Sequence, residues 1–287
     1  MNRSTKTRYT IFQILIEIFK KNKNFEKIFN KKIAENHFND DEISFINNVC
    51  LNTMRKNIYC KIILNKFVKK KIKTNEFILL SSAIVQIVYL NIKPYAVVNE
   101  TVNVSKKIKV FPGFINAILK NILKNINDVK KIEIKLMDFP DWFLHEIKKT
   151  KKINIHNFID TFYEQPDLHI VFKSERYLKG FSEENTKSSS KSTFLKVQKK
   201  IKDVENFYKG EWWVQDFSSM LPIYLIEKIK NKVAIDLCAA PGGKSFQLLK
   251  YGAKLESCEI NKNRANIMIE NLKRLKFDMK ITIKDPL

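Results

Sequence analysis

The sequence predicts an all-helical N-terminal domain followed by the opening part of an α/β fold built on a parallel sheet. Three observations carry this expectation. Apolar residues recur at helical spacing through the first 130 residues, and no strand-like alternation appears before residue 166. Beyond Pro166 the period changes, and residues 167–173 read as a strand. At residues 233–249 a short apolar run breaks into a glycine turn and then a helical pattern, and two more strands follow.

In chain order, Ile11, Ile14, Leu15, Ile18 and Phe19 mark one face of a helix over 9–20. A second helix is expected over 25–35. Asn39 with Glu42 three residues on forms a capping-box pattern that starts a third, running towards residue 52. Further helices are expected at about 54–69, 75–90, 95–108 and 113–126, with Pro94 and Pro112 marking the breaks between the last three. Residues 77–92 are the most apolar run, yet they fall short of the roughly 18–20 residues that span a bilayer and read as a buried core helix. With no export signal either, a cytoplasmic protein is expected.

Pro140 suits the first turn of a helix over 139–147, whose apolar face Trp142 would cover, and another helix is expected over 154–163. After the strand at 167–173, the Ser- and Lys-rich stretch 183–193 reads as a loop or hairpin excursion. Segments 194–199 and 211–214 would complete a small sheet. Residues 217–230 read as a helix with Asp216 as a candidate N-cap. This divides the chain into a helical domain at 1–130, a small α+β connecting subdomain at 131–210, and a cofactor-type α/β portion at 211–287.

The net charge is +23. Residues 1–130 carry 24 Lys+Arg against 9 Asp+Glu, so the helical part is the more basic. Such an excess attracts polyanions by counterion release, and it is also what an AT-rich genome produces. Arg3, Lys6 and Arg8 read as a mobile basic arm before the first helix, and Lys69, Lys70, Lys71 and Lys73 form a second cluster suited to phosphate contacts. The four cysteines form no C-x-x-C pair, so neither a zinc site nor a disulfide framework is expected. Cys50 and Cys60 read as apolar core residues. Cys238 reads as a packing or backbone-contact residue of the turn rather than a nucleophile, because reactive thiols need an electropositive, accessible setting. His169 reads as an ordinary strand residue.

The strand–glycine turn–helix at 233–249 is the geometry in which backbone N–H groups and a helix N-terminus point at the negative end of a ligand. A phosphate loop would need glycine five positions before its Gly-Lys pair, where Cys238 stands, and G-x-G-x-x-G is absent. A third ligand class is S-adenosylmethionine, with its carboxylate at the turn. The second strand, 254–260, ends in Glu259, placed to accept from both hydroxyls of a ribose diol. The third, 279–284, ends before Asp285, able to accept from an adenine amino group.

The segment Asp236-Leu-Cys-Ala-Ala-Pro-Gly-Gly-Lys-Ser245 resembles the signature of the Nop/Sun family of RNA cytosine-C5 methyltransferases, and Trp213-Val-Gln-Asp-Phe-Ser-Ser219 and Asn271-Leu-Lys-Arg-Leu275 are similar to its flanking segments. The helical part is similar to the NusB antitermination fold that one branch of the family carries. The resemblance implies a NusB-like helical domain followed by a Rossmann-like S-adenosylmethionine-dependent methyltransferase fold, of which this chain supplies the first three strands of seven, in order 3-2-1. It implies methylation of a cytosine in 16S ribosomal RNA, unassembled or partly assembled, by a monomer that uses S-adenosylmethionine and no metal. The residues matching the family's cofactor positions are Cys238, Ala239, Ala240, Pro241, Gly242, Gly243, Lys244, Glu259 and Asp285. The two cysteines that the family's reaction uses, in Pro-Cys-Ser and Thr-Cys-Ser segments downstream of Asp285, have no counterpart here, so no residue receives a catalytic role. The expectation is a C-terminally truncated, inactive fragment whose first cofactor strand lacks its inner neighbour. A non-enzymatic RNA-binding protein with a vestigial cofactor fold, a nucleotide hydrolase, and a transfer RNA target remain open at this point.

Overall fold

A computed structural model of the chain describes residues 2–150, 154–196 and 200–285. It separates two compact units, Met1–Glu164 and Gln165–Leu287.

The first unit is helical: α1 (Arg3–Lys21), α2 (Phe25–Ala34), α3 (Asp40–Arg55), α4 (Asn57–Phe67), α5 (Thr74–Val88), α6 (Pro94–Lys107), α7 (Pro112–Lys124), α8 (Ile126–Lys130), α9 (Asp141–Lys149) and α10 (Ile155–Tyr163). The apolar run at 77–92 forms α5, in which every residue from Ile78 to Val88 is buried. A helix apolar on all sides must sit inside, and α5 packs against α1, α3, α4, α6 and α7. Among the described residues no helix is long and apolar enough to cross a membrane. The capping box at α3 forms as its spacing requires: Glu42 N–H donates to Asn39 Oδ1 at 2.9 Å, and Asn39 N–H donates to Glu42 Oε2 at 3.0 Å. Pro94 and Pro112 each open a helix at its first position, where their missing N–H costs nothing. Cys50 and Cys60 are fully buried, and burial pushes the Cys60 thiol up to about 12.

Two expectations fail in this unit. The basic arm is not an arm: α1 begins at Arg3, with Asn2 as its N-cap. Arg3 Nε pairs with Glu42 Oε1 at 2.5 Å. Arg8 is buried, donating from Nε to Gln86 Oε1 at 2.9 Å and from Nη1 to Ser4 Oγ at 2.7 Å. Its charge is spent on the interior of α1 and α5. Trp142 does not cover the apolar face: it is 70% exposed, on the helix side of the exposed Glu146, and touches Phe143 edge-on at 5.6 Å. Phe143 stacks on Phe139 at 4.9 Å and takes the apolar face instead, joined there by Ile159 and Tyr163.

The second unit opens with a small antiparallel sheet. Its elements are β1 (Leu168–Phe172), α11 (Glu175–Lys179), β2 (Asn185–Ser189), β3 (Ser192–Leu195) and β4 (Trp212–Val214), with strand order β2-β3-β1-β4. The Ser-rich excursion is therefore a hairpin. The strand expected over 194–199 ends at Leu195, and residues 197–199 lie outside the described residues. His169 is buried on β1, its Nδ1 against the Gln215 carbonyl at 2.6 Å and its Nε2 against Ser188 Oγ at 2.8 Å.

The chain continues as α12 (Phe217–Tyr224), β5 (Val233–Asp236), α13 (Gly243–Lys250), β6 (Lys254–Cys258), α14 (Lys262–Leu275) and β7 (Lys280–Thr282). α12 stops six residues short of the expected helix. Lys228 and Asn231 take left-handed backbone conformations as the chain turns into β5, and Ile229 drops into a cluster with Ile223 and Ala253. The strands form a parallel sheet of order β5-β6-β7, with Val233 opposite Lys254 and Ser257 opposite Ile281. β5 is an edge of this sheet, and Val233, Ile235 and Leu237 stand 78%, 63% and 50% exposed along it. Trp213, Met220, Phe246, Met268, Leu272 and Leu275 pack the other elements together. Arg274 on α14 donates to the carbonyls of Phe207 at 2.9 Å and Trp212 at 3.0 Å, tying this sheet to the segment that leads into β4.

Candidate cofactor site

Because β5, β6 and β7 run parallel, their carboxyl ends share one edge, and open α/β sheets bind ligands outside that edge. The turn after β5 is shaped by its glycines. Gly242 is the N-cap of α13 with φ +109°, and a Cβ there would stand 2.1 Å from the Phe246 ring. A Cβ on Gly243 would stand 3.2 Å from Gln215 Cγ. The turn is thus held against its own helix and against the segment before α12, with backbone as its outer surface.

One backbone hydrogen bond fixes the turn to the end of β6, a second closes the turn on itself, and a third joins the ends of β6 and β7. Ala239 N–H donates to the Cys258 carbonyl at 3.1 Å, Gly242 N–H to the Ala239 carbonyl at 2.8 Å, and Glu259 N–H to the Thr282 carbonyl at 3.1 Å. Glu259 is 3% exposed. Its Oε2 accepts from Ala240 N–H at 3.2 Å and its Oε1 from Asn261 N–H at 2.9 Å. An ionised carboxylate offers about four lone-pair sites, so these two bonds leave acceptor capacity. Arg264 of α14 donates to the Ala240 carbonyl, so that residue is gripped through both its N–H and its C=O. Ser245 Oγ donates to Asp236 Oδ2 at 2.7 Å, joining the first turn of α13 to the end of β5.

The structure brings Cys238, Ala239, Ala240, Pro241, Gly242, Gly243 and Lys244 into one turn and sets Glu259 against its centre. Ala239, Ala240 and Gly242 are buried, Gly243 is half-buried, and Pro241 and Lys244 are exposed. Cys238 is exposed as well, so of the two readings given for it, packing and backbone contact, packing does not hold. Asp285 lies three residues past β7 and is exposed. Among the described residues no group of His, Cys, Asp and Glu has the arrangement to hold a metal ion.

Beneath the turn lies Gln215, a residue of the 213–219 segment whose resemblance suggests that it holds the cofactor loop; nothing in the sequence foretells its partnership with Trp213 and Gln247. Trp213 Nε1 donates to Gln215 Oε1 at 2.9 Å, Gln215 Nε2 to Gln247 Oε1 at 2.7 Å, and Gln247 Nε2 to the Met220 carbonyl at 3.1 Å. This buried relay places Gln215 under Gly243. Asp216 is the N-cap of α12, and bonds from the Ser218 hydroxyl and Ser219 N–H hold its carboxyl below the usual range. Asn261 caps α14, accepting from Asn263 and Arg264 N–H at 3.0 and 3.2 Å. An Asn before a helical pattern was the available signal for it. Nothing in the sequence pattern marked Arg264.

Comparison with known proteins places these observations. Residues 5–124 match the model of the NusB family, and residues 223–286 match that of the 16S rRNA methyltransferase RsmB/F family. The probable ribosomal RNA small subunit methyltransferase B of Coxiella burnetii is 25% identical over 255 residues, covering 81% of this chain and 59% of its own length. The ribosomal RNA small subunit methyltransferase B of Photorhabdus laumondii is 26% identical over 240 residues, covering 74% of this chain and 54% of its own. The chain therefore spans under two thirds of these relatives. The crystal structure of PH0851 superposes with a TM-score of 0.58 at 14% identity over 99% of this chain and 70% of that one, which shows a shared fold. The chain is thus similar to the NusB family over residues 5–124 and to the 16S rRNA methyltransferase RsmB/F family over residues 223–286.

Proposed function

We propose that this chain is the RNA-binding and cofactor-holding portion of an S-adenosylmethionine-dependent methyltransferase that acts on C5 of a cytosine in 16S ribosomal RNA. The observation that carries the reading is the buried Glu259 carboxylate bonded to the centre of a two-glycine turn at the carboxyl edge of a parallel sheet. The residues fit an amino-acid nucleoside. A Cβ at 242 or 243 would meet Phe246 or Gln215 on the inner side of the turn, so glycines let the turn seat closely there, and the start of α13 offers N–H groups and a positive dipole end to a carboxylate.

In this reading the turn from Cys238 to Lys244 receives the amino-acid end of the cofactor, and the exposed Lys244 ammonium adds charge near the carboxylate. Glu259 accepts from the ribose hydroxyls with the lone pairs that Ala240 and Asn261 leave unused. Asp285 lies beside the adenine. When bound, the cofactor supplies an electrophilic methyl group on a sulfonium. This chain's residues orient that group and hold it still by the bonds that clamp the turn. The nucleophile and the proton-transfer groups are assigned to no residue here. RNA is the partner, approached in part through the exposed Lys69, Lys70, Lys71 and Lys73 between α4 and α5. The protein works as a cytoplasmic monomer on RNA not yet fully assembled.

The test is methyl transfer by the full-length protein to protein-free 16S ribosomal RNA, with nuclease digestion and mass spectrometry of the product. Appearance of 5-methylcytidine is expected. RNA binding without methyl transfer would replace the enzyme by a binding protein.

A further inference from the structure

A concave surface lies at the other end of α13 from the glycine turn. It is a cleft of about 430 Å³ between the β2–β3 hairpin turn, α12, the segment leading into β5 and the end of α13. Four lysines line it, Lys191, Lys228, Lys230 and Lys250, and no carboxylate does. On a chain with 30 acidic residues, four cations from three separate stretches converging without one acid is a built electrostatic feature rather than a solvated face.

Lys250 is the least expected of the four. Its Nζ is drawn inward to the Phe172 carbonyl at 2.6 Å and lies 5.7 Å from the Trp213 ring centroid and 5.5 Å from that of Tyr251. Burial, with Lys191 nearby, pushes its pKa down to about 7. A half-buried ammonium without a carboxylate partner is costly to keep charged. An anion in the cleft would relieve that cost. The lining also holds Ser190, exposed at the hairpin tip, and Tyr224, 54% exposed at the rim. A hydroxyl suits a phosphate oxygen and a free tyrosine face suits a base.

We infer that this cleft binds the phosphodiester backbone of a single-stranded RNA segment, with Lys191, Lys228, Lys230 and Lys250 on its phosphates and Tyr224 against a base. The inference rests on the reading of RNA as the partner, and it names a contact surface apart from the cofactor turn. α13 has eight residues, so the two surfaces are separated by about 12 Å of helix, roughly the length of two or three nucleotides. RNA held in the cleft would be anchored away from the chemistry and leave the turn open.

The test uses the whole chain and a short fluorescein-labelled single-stranded RNA, read by anisotropy over a range of salt concentrations. The half-buried Lys191 and the exposed Lys230, changed together as Lys191→Ala with Lys230→Ala, are compared with Lys250→Met, and thermal melting reports that each variant is folded. Each variant should bind RNA about tenfold more weakly, and the double variant's salt slope should shrink by about 1.4, since each lost phosphate contact on a single strand removes about 0.7. Affinity for S-adenosylmethionine, measured by calorimetry on the same variants, should stay at the wild-type value, so a failure of the cofactor reading shows up independently of the cleft. Inorganic phosphate and polyglutamate are added as competitors. Wild-type RNA affinity and slope in the double variant would overturn the inference. So would displacement of RNA by polyglutamate at equal charge, which would make the cleft a site for an acidic protein, or saturation by millimolar phosphate with no gain from the RNA chain.

Discussion

Glu259 Oε2 accepts the backbone N–H of Ala240 at 3.2 Å, across 19 residues of chain, while Arg264 holds the carbonyl of the same residue. The end of β6 and the turn after β5 are therefore one assembly. Glu259→Ala leaves the buried Ala240 N–H without its acceptor, at a cost of about 1–3 kcal/mol. The exposed Glu256, on β6 itself, is the control, since surface changes stay within about 0.5 kcal/mol. Urea midpoints of the two variants should separate by that margin.

Gly242 combines a left-handed φ with a ring 2.1 Å from where a Cβ would stand. Gly242→Ala should cost about 1–3 kcal/mol from backbone strain alone, with the clash adding to it. Shrinking the ring by Phe246→Leu in the same chain should recover the clash and leave the strain. Melting temperatures of the single and double variants give the split. Equal melting of Gly242→Ala and wild type would show that the turn can relax.

The capping box at α3 lies in the other unit and is independent of the site. Asn39→Ala removes the acceptor for Glu42 N–H and should cost about 1 kcal/mol. Glu42→Ala removes the return bond from Asn39 N–H and should destabilise in the same direction, with the exposed Arg3 pair adding little. Denaturant unfolding followed by helical circular dichroism measures both.

Lys250 makes stability depend on pH with a definite sign. Its folded pKa is pushed down to about 7 by burial, so from there up to its unfolded value near 10.4 the unfolded chain holds a proton that the folded chain has released. Stability then rises with pH across that window, and the gain is lost as pH falls to about 7. Lys250→Met removes the dependence. The rise in urea midpoint from pH 6 to pH 9 should be smaller in the variant, and an equal rise would assign the effect elsewhere.

What was legible in the sequence was what is settled locally. Asn39 with Glu42, Pro94, Pro112 and the apolar run of α5 each specify a boundary or a burial through neighbours three or four residues away, and each appears where its spacing puts it. What was hidden depends on distant partners. Arg8 looks like a surface cation until Gln86, 78 residues on, takes its Nε–H, and Trp142 looks like core until Phe139 and Phe143 fill the face it would have covered. The same holds in the candidate site. The order of turn, Glu259 and Asp285 along three strands is readable as spacing. The grip of Arg264 and the Trp213–Gln215–Gln247 relay under Gly243 exist only once the fold has brought them there.

The central claim is that a sulfonium nucleoside lies along the carboxyl edge of β5, β6 and β7, with its sugar at Glu259. Calorimetric titration of S-adenosylmethionine into the wild-type chain and into Glu259→Gln tests it most directly, because glutamine keeps an acceptor for Ala240 N–H and loses the charge. The account predicts one site in the wild type and an affinity at least about tenfold weaker in the variant, or about 1.4 kcal/mol. Equal affinity in the two, or tighter binding of ATP than of S-adenosylmethionine, would contradict it.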